Sequence, residues 1–267
     1  MGAHGPGRQA QVGRPLTAGR TRRVRLAGRR PPSPDDPDLG YYGRLQGRPL
    51  RPYRQKLLAE LLPRVALAVP DPPVPDAIDP AVLFPAARDV WVEVGFGAGE
   101  HLVWQVEHNP GVGLIGCEMF VNGVASLLRH IEERRLTNVR VVTTDARGLL
   151  RSLPDASVGR VFVLFPDPWP KARHFKRRMI APASLHQIAR VLKDGGTLRF
   201  ASDHAGYCRW TLGHALAQPG LAWTAERPAD WLSRGADWPE TRYEQRAAAA
   251  GRTSLFFTFV RTARASH

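Results

Sequence analysis

Val92-Glu93-Val94-Gly95-Phe96-Gly97-Ala98-Gly99-Glu100 is the stretch that decides how this chain folds. The β-branched run Val90–Val94 predicts a strand, and Glu100–His108 has the apolar spacing of a helix. Between them, Gly95, Gly97 and Gly99 permit a tight turn in which backbone N–H groups face a ligand. The dinucleotide fingerprint G-x-G-x-x-G would put glycine at 100, where this chain has Glu100. Glu93 and Glu100 would repel a diphosphate beside the turn, and they favour a ligand that carries cationic groups. A glycine turn with only a structural task is the alternative at this point.

Outward from the turn, strands and helices alternate. Gly113–Cys117, Val139–Thr143 and Val161–Phe165 read as buried strands. Val121–Arg135, Arg147–Leu153 and Ala183–Leu192 read as helices, and Gly195-Gly196 turns the chain into a strand at Thr197–Ala201. Such alternation predicts an α/β, Rossmann-like fold, a mostly parallel central sheet with helices on both faces. Ligands in such sheets bind beyond the carboxyl ends of the strands. Upstream, Leu50–Leu67 has helical periodicity that Pro63 interrupts, and the prolines from Pro70 to Pro85 read as a linker.

The chain has 267 residues and a formal charge of +14, an excess that favours a polyanionic partner such as nucleic acid. Most of the excess is arginine in an Ala-, Gly- and Pro-rich chain, so coding bias competes with that explanation. Residues 1–34 hold eight arginines and no acid, and without them the charge would be +6. This stretch cannot bury enough apolar surface to fold. The expected organisation is therefore a basic, disordered extension over 1–40 and one domain over 41–267. Cys117 and Cys208 make neither a disulfide framework nor a zinc spacing, which fits a reducing cytoplasm and no metal. No apolar run approaches the roughly 20 residues of a transmembrane helix. The arginine-rich start is also compatible with an organellar transit peptide.

Acids recur where predicted strands end. Glu118 closes the second, where a carboxylate can accept from ribose hydroxyls, and Asp145 closes the third, where it can equally cap the next helix. The fourth strand runs into Phe165-Pro166-Asp167-Pro168-Trp169-Pro170-Lys171. Prolines on both sides fix the backbone around Asp167, and Trp169 offers a ring on which a base can stack. A proline-rich loop around a buried tryptophan is the competing description. Of the eight residues Lys171–Arg178 five are Lys or Arg, either a solvated face or a set of phosphate contacts.

The E-x-G-x-G-x-G turn followed by acids at successive strand ends resembles class I S-adenosylmethionine-dependent methyltransferases. Within them, Phe165-Pro166-Asp167-Pro168-Trp169, the Lys171–Arg178 cluster, Ser202-Asp203 and Thr241-Arg242-Tyr243-Glu244 resemble the bacterial tRNA (guanine-N7-)-methyltransferase family. The likeness extends from about Leu50 to Arg261, and Pro170 stands where many members have His. It implies that Glu93, Gly95, Gly97, Gly99, Glu118, Asp145 and Asp167 surround S-adenosyl-L-methionine, with Asp167 catalytic. It implies that Lys171, Asp203, Thr241, Arg242, Tyr243 and Glu244 hold the substrate, and that Arg173, His174, Phe175, Lys176, Arg177 and Arg178 touch RNA. The implied partner is tRNA, the product 7-methylguanine at position 46 of the variable loop, and the protein a monomer or homodimer. Three other activities compete. An exocyclic-amine methyltransferase would share the cofactor site but prefer Asn-Pro-Pro-Tyr-like chemistry. A nicotinamide dehydrogenase is disfavoured by Glu93 and Glu100. A non-catalytic RNA-binding module is opposed by the intact strand-end acids.

Overall fold

The computed structural model describes residues 42–264, together with Met1, so the basic extension expected over 1–40 lies outside the described residues. The single helix expected over 50–67 is two: α1 (Pro52–Glu60) and α2 (Leu62–Val65). Pro63 has no N–H to continue the first helix, but near the start of a second it leaves no bond unmade. The stretch expected as a linker is partly ordered against the core. It holds α3 (Pro80–Leu83), whose first turn is capped by Asp79 accepting from the Ala81 N–H at 2.8 Å. Ile78 and Phe84 are buried there, and a Cβ on Gly113 would lie 2.3 Å from the Phe84 ring. The prolines break regular structure; the apolar residues between them still seek the sheet.

The expected alternation follows. Its elements are β1 (Asp89–Val94), α4 (Glu100–His108), β2 (Val112–Cys117), α5 (Val121–Arg134), β3 (Val139–Val142), α6 (Ala146–Ser152) and β4 (Val158–Leu164). A 3₁₀ helix over Ala172–Arg177 and α7 (Pro182–Val191) lead into β5 (Leu192–Ser202). This strand is longer than expected because its start pairs Leu192 with Val158. The register then slips over Gly195-Gly196, and regular pairing resumes at Thr197, opposite Arg160. Beyond it lie α8 (Ala205–Leu216), β6 (Leu221–Trp223), α9 (Ala229–Leu232), α10 (Arg242–Ala249) and β7 (Leu255–Arg261).

One sheet contains all seven strands in the order β3-β2-β1-β4-β5-β7-β6, with β1 to β5 parallel and β7 antiparallel to both its neighbours. The chain winds outward from β1 to β3, then returns to lay β4 on the other side of β1. That reversal opens a crevice at the carboxyl ends of β1 and β4. Helices α6, α7 and α8 bury one sheet face, around Leu149, Leu185 and Tyr207, and α1, α2, α4 and α5 bury the other, around Leu57, Leu102 and Leu127. The free edge of β3 is partly covered, since the Leu67 N–H donates to the Val141 carbonyl at 2.9 Å. Among the described residues, no helix is long and apolar enough to cross a membrane.

Helix α5 meets the glycine turn at Gly123, where an added Cβ would lie 2.2 Å from the Gly97 carbonyl oxygen. Backbone cannot yield as a flexible side chain would. Gly123→Ala is therefore expected to lower unfolding free energy by about 1–3 kcal/mol, read from urea or thermal unfolding.

Candidate active site

All three glycines of the turn have positive φ, 73° at Gly95, 58° at Gly97 and 85° at Gly99, a region where a side chain is strained. Gly99 enters α4, and Gly97 donates its N–H to Glu118 Oε2 at 2.9 Å. The other Glu118 oxygen accepts from the Phe120 N–H at 2.8 Å. Burial raises the Glu118 carboxyl above its usual value, against the opposing pull of the Phe120 and Gly97 N–H groups. A cavity of about 370 Å³ opens over this floor. Its walls come from the ends of four strands: Gly95 and Gly97 after β1, Cys117 to Phe120 after β2, Thr144 to Arg147 after β3, and Leu164 to Asp167 with Trp169 after β4.

Asp145 caps α6 through the Arg147 N–H at 2.9 Å and also lines the cavity. Its carboxylate is further held by the Arg147 side chain, Nε at 3.0 Å and Nη2 at 2.9 Å. Glu93 does not reach the main cavity. It is 2% exposed, bonded through Oε2 to His101 Nδ1 at 2.8 Å, and it lines a smaller hollow behind Gly95 with Phe165, Thr241 and Tyr243. Gly99 lies outside both linings and serves the helix entry.

The loop after β4 is held in an uncommon backbone shape. Phe165 and Trp169, both bulky, have φ of 48° and 43°, and such conformations cost roughly 1–3 kcal/mol each. Two contacts enforce them: the Phe165 N–H donates to the Ala201 carbonyl at 2.7 Å, and Arg178 Nε donates to the Pro168 carbonyl at 2.9 Å. Between these anchors Asp167 stands exposed at the cavity mouth. It has no hydrogen bond or ion pair among the described residues, and loss of hydration raises its carboxyl above the usual value.

The basic run divides into three. Arg178, expected on RNA, is 2% exposed, with its guanidinium 3.9 Å from the centre of the Phe175 ring and close to Tyr207 and Trp210. It supports the loop and has no surface to offer a phosphate, which corrects the sequence expectation; a cationic residue in a basic string carries no mark of which way it points. Phe175 packs edge-on against Trp210 at 5.1 Å. Arg177 turns into the cavity between the Tyr42 and Trp169 rings, at 4.6 and 4.9 Å. Lys171, Arg173 and Lys176 are exposed, and His174 lies edge-on to Trp169.

Of the C-terminal motif, Tyr243 reaches the cavity and Thr241 the smaller hollow, while Arg242 and Glu244 line neither. Thr241 caps α10 through the Glu244 N–H at 3.3 Å, and the Tyr243 ring stacks near Phe165 while touching the Gly97 side of the turn. Glu244 pairs through one oxygen with Arg234, leaving its buried Oε2 without a partner. Burial raises this carboxyl above its usual value despite Arg234. Arg242 lies 3.8 Å from Glu100, and Asp203 is bound to Arg252 Nε at 2.7 Å. Sequence reasoning missed Tyr42, Gly43 and Arg44, which form a cavity wall, along with the partners Arg147, Arg234 and Arg252. For Tyr42 a faint signal existed, an aromatic pair ending the basic tail; the arginine partners had none.

Residues 87–257 match a family model described as "Putative methyltransferase". The chain is 50% identical over 230 residues to a tRNA (guanine-N(7)-)-methyltransferase of Rhodospirillum rubrum, spanning 86% of this chain and 90% of that one. It is 52% identical over 229 residues to the protein of the same name from Paramagnetospirillum magneticum, spanning 84% and 93%. Among solved structures it resembles the 16S rRNA methyltransferase KamB, with a TM-score of 0.51, 18% identity and coverage of 68% of this chain and 92% of that chain. An antibiotic-related methyltransferase gives a TM-score of 0.50 at 15% identity, covering the same 68% and 92%. At these identities the structural likeness concerns the fold alone, the Rossmann-like class I methyltransferase sheet.

Replacing Arg178 with Met keeps much of the stem's volume but removes the donor to the Pro168 carbonyl. The expected loss is roughly 1.5–3 kcal/mol of unfolding free energy, measured by denaturant titration.

Proposed function

The chain belongs to the tRNA (guanine-N7-)-methyltransferase family, and we propose that it methylates N7 of the guanine at position 46 in the tRNA variable loop. S-Adenosyl-L-methionine, when bound, supplies an electrophilic methyl group. The chemistry of the cavity suits it: carboxylates for a cationic aminoacyl end, apolar Met119 and Ala146 nearby, and open space on Gly95, where an added Cβ would meet nothing within 4 Å. Glu118, Asp145 and the turn of Gly95 and Gly97 would hold it, with Glu93 behind the turn and Gly99 keeping the turn's shape. Residues 41–267 would constitute the methyltransferase domain, acting in the cytoplasm.

Asp167 carries this reading, as an exposed carboxylate without a partner, fixed at the mouth of the cavity by a strained loop. Guanine N7 has an in-plane lone pair and no proton to remove, so the chain need supply no strong base. Its tasks are alignment of the base and compensation of the positive charge that grows on the methylated ring. Asp203 and Glu244 are each engaged by an arginine, which favours Asp167 for the charge. Tyr243 and Trp169 border the same mouth and suit stacking on an extruded base, whose unstacking costs a few kcal/mol. The exposure of Lys171, Arg173 and Lys176 suits phosphate contacts, and Arg177 lines the cavity.

Incubation with labelled S-adenosylmethionine and unmodified tRNA transcripts, followed by nucleoside mapping, tests the proposal. Label on 7-methylguanine of the variable loop, with kcat lowered roughly 10²–10³-fold in Asp167→Ala, is expected. Label on another base, or an undiminished Asp167→Ala enzyme, would refute it. The raised Asp167 carboxyl must be ionised to act, so kcat falls as pH drops through a pKa above the ordinary aspartate value. Asp167→Asn should abolish that acid limb. In binding assays Arg173→Ala should reduce the slope of log affinity against log salt by about 1.

A further inference from the structure

Behind the glycine turn Glu93 heads a buried polar chain whose other members no step above uses. Glu93 Oε2 meets His101 Nδ1 at 2.8 Å, and His101 Nε2 meets Gln105 Nε2 at 3.1 Å. Gln105 Nε2 also donates to the Asp237 carbonyl at 2.8 Å, and Asn109 Nδ2 bonds both the Gln105 carbonyl at 2.9 Å and Gln105 Oε1 at 3.2 Å. Glu93, His101 and Gln105 are 2%, 4% and 1% exposed, so water cannot substitute for a mismatched partner. The His101 ring is otherwise enclosed by Phe162 and Trp238, edge-on at 4.6 and 6.0 Å.

The proton positions follow from the two ends of this chain. A backbone carbonyl can only accept, so the Gln105 carbonyl orients the Asn109 amide with its nitrogen inward. That nitrogen then faces the oxygen of the Gln105 side chain, and the Asp237 carbonyl requires the Gln105 nitrogen on the other side. Both amide orientations are thereby assigned without reference to the histidine. The Gln105 nitrogen has one hydrogen left, and it points at His101 Nε2, which must be a bare acceptor. The remaining imidazole proton sits on Nδ1 and is donated to Glu93. An imidazolium would set N–H against N–H across 3.1 Å.

We infer that Gln105 and Asn109 are positioning residues that hold His101 as the neutral Nδ1–H tautomer. Glu93 thereby keeps an uncancelled negative charge beneath the glycine turn, to be met by the cationic cofactor. What looks like a Glu–His ion pair is a neutral donor on a carboxylate. Glu93 Oε1 has no hydrogen bond among the described residues and borders the small hollow behind Gly95. The inference rests on the reading of this turn as the S-adenosylmethionine site.

Two-bond ¹H–¹⁵N correlation spectra of the full-length, cofactor-free protein, labelled at the histidine nitrogens, test it directly. His101 is assigned through its contacts with the Phe162 and Trp238 rings. A neutral ring protonated on Nδ1 at neutral pH is expected; an imidazolium or the Nε2–H form overturns the inference. Gln105→Glu replaces the donor with an acceptor and draws a proton onto Nε2; the imidazolium then lies directly against Glu93 and screens it from the turn, while the new carboxylate sits on the far side of the ring. The variant's calorimetric Kd for S-adenosylmethionine should rise roughly tenfold, with the Kd for tRNA changed less than about twofold. An unchanged Kd for S-adenosylmethionine refutes the role, and if the variant fails to fold, the wild-type spectrum decides. Should wild-type protein methylate no tRNA, the proposed reaction fails while the tautomer and cofactor affinity remain measurable.

Discussion

The peptide of Gly97 is gripped from both sides, and the rest of the site is arranged around it. Its N–H is donated to Glu118 beyond the end of β2, while its carbonyl oxygen lies against Gly123 of α5 so closely that no Cβ fits between. The same residue sets the seat of Tyr243, whose hydroxyl would lie 3.1 Å from a Cβ at Gly97. One turn thus ties together two parallel strands, the helix that follows the second, and a helix from the far end of the chain. The positive φ values at Gly95, Gly97 and Gly99 are the conformational requirement of that junction.

On the other side of β1, the loop after β4 is stabilised by the opposite means. Where the glycine turn avoids strain by having no side chains, this loop accepts strain at Phe165 and Trp169 and holds it with tertiary contacts. Arg178 is the main holder, surrounded by aromatic rings and bonded to the Pro168 carbonyl. Because the contacts that fix the loop lie at its ends, Asp167 remains unbonded at its centre. A carboxylate fixed by its backbone and free at its oxygens can orient an incoming group without first giving up another partner.

Charge is separated on a short length scale. The chain as a whole is strongly basic, yet Glu118, Asp145 and Asp167 share one cavity and Glu93 lies just behind it. Lys171, Arg173 and Lys176 stand outside the mouth. The cavity thus joins three carboxylates with Arg44, Arg147 and Arg177, inside a surface that is basic overall. Asp237 contributes from a distance, since its carboxylate joins Arg160 and Arg199 on neighbouring strands and so fixes the segment leading to Thr241.

The sequence by itself located the five parallel strands and the glycine turn, but not β6 or β7. Periodicity located β1 to β4 and α4 to α7 within a few residues, because strand burial and helical faces are written in local apolar spacing. The glycine turn and the strand-end acids were legible for a similar reason: each is a residue type demanded by a local backbone position. Tertiary structure alone decided which way side chains turn. Arg177 and Arg178 are adjacent in one basic string, yet one enters the cavity and the other is buried under the loop. The arginines that engage Asp203 and Glu244, the wall formed by Tyr42 to Arg44, and the contact of α10 with the glycine turn join residues far apart in the chain or on separate elements. Such pairings depend on how the elements pack, and no local pattern encodes a distance between segments that meet only after folding.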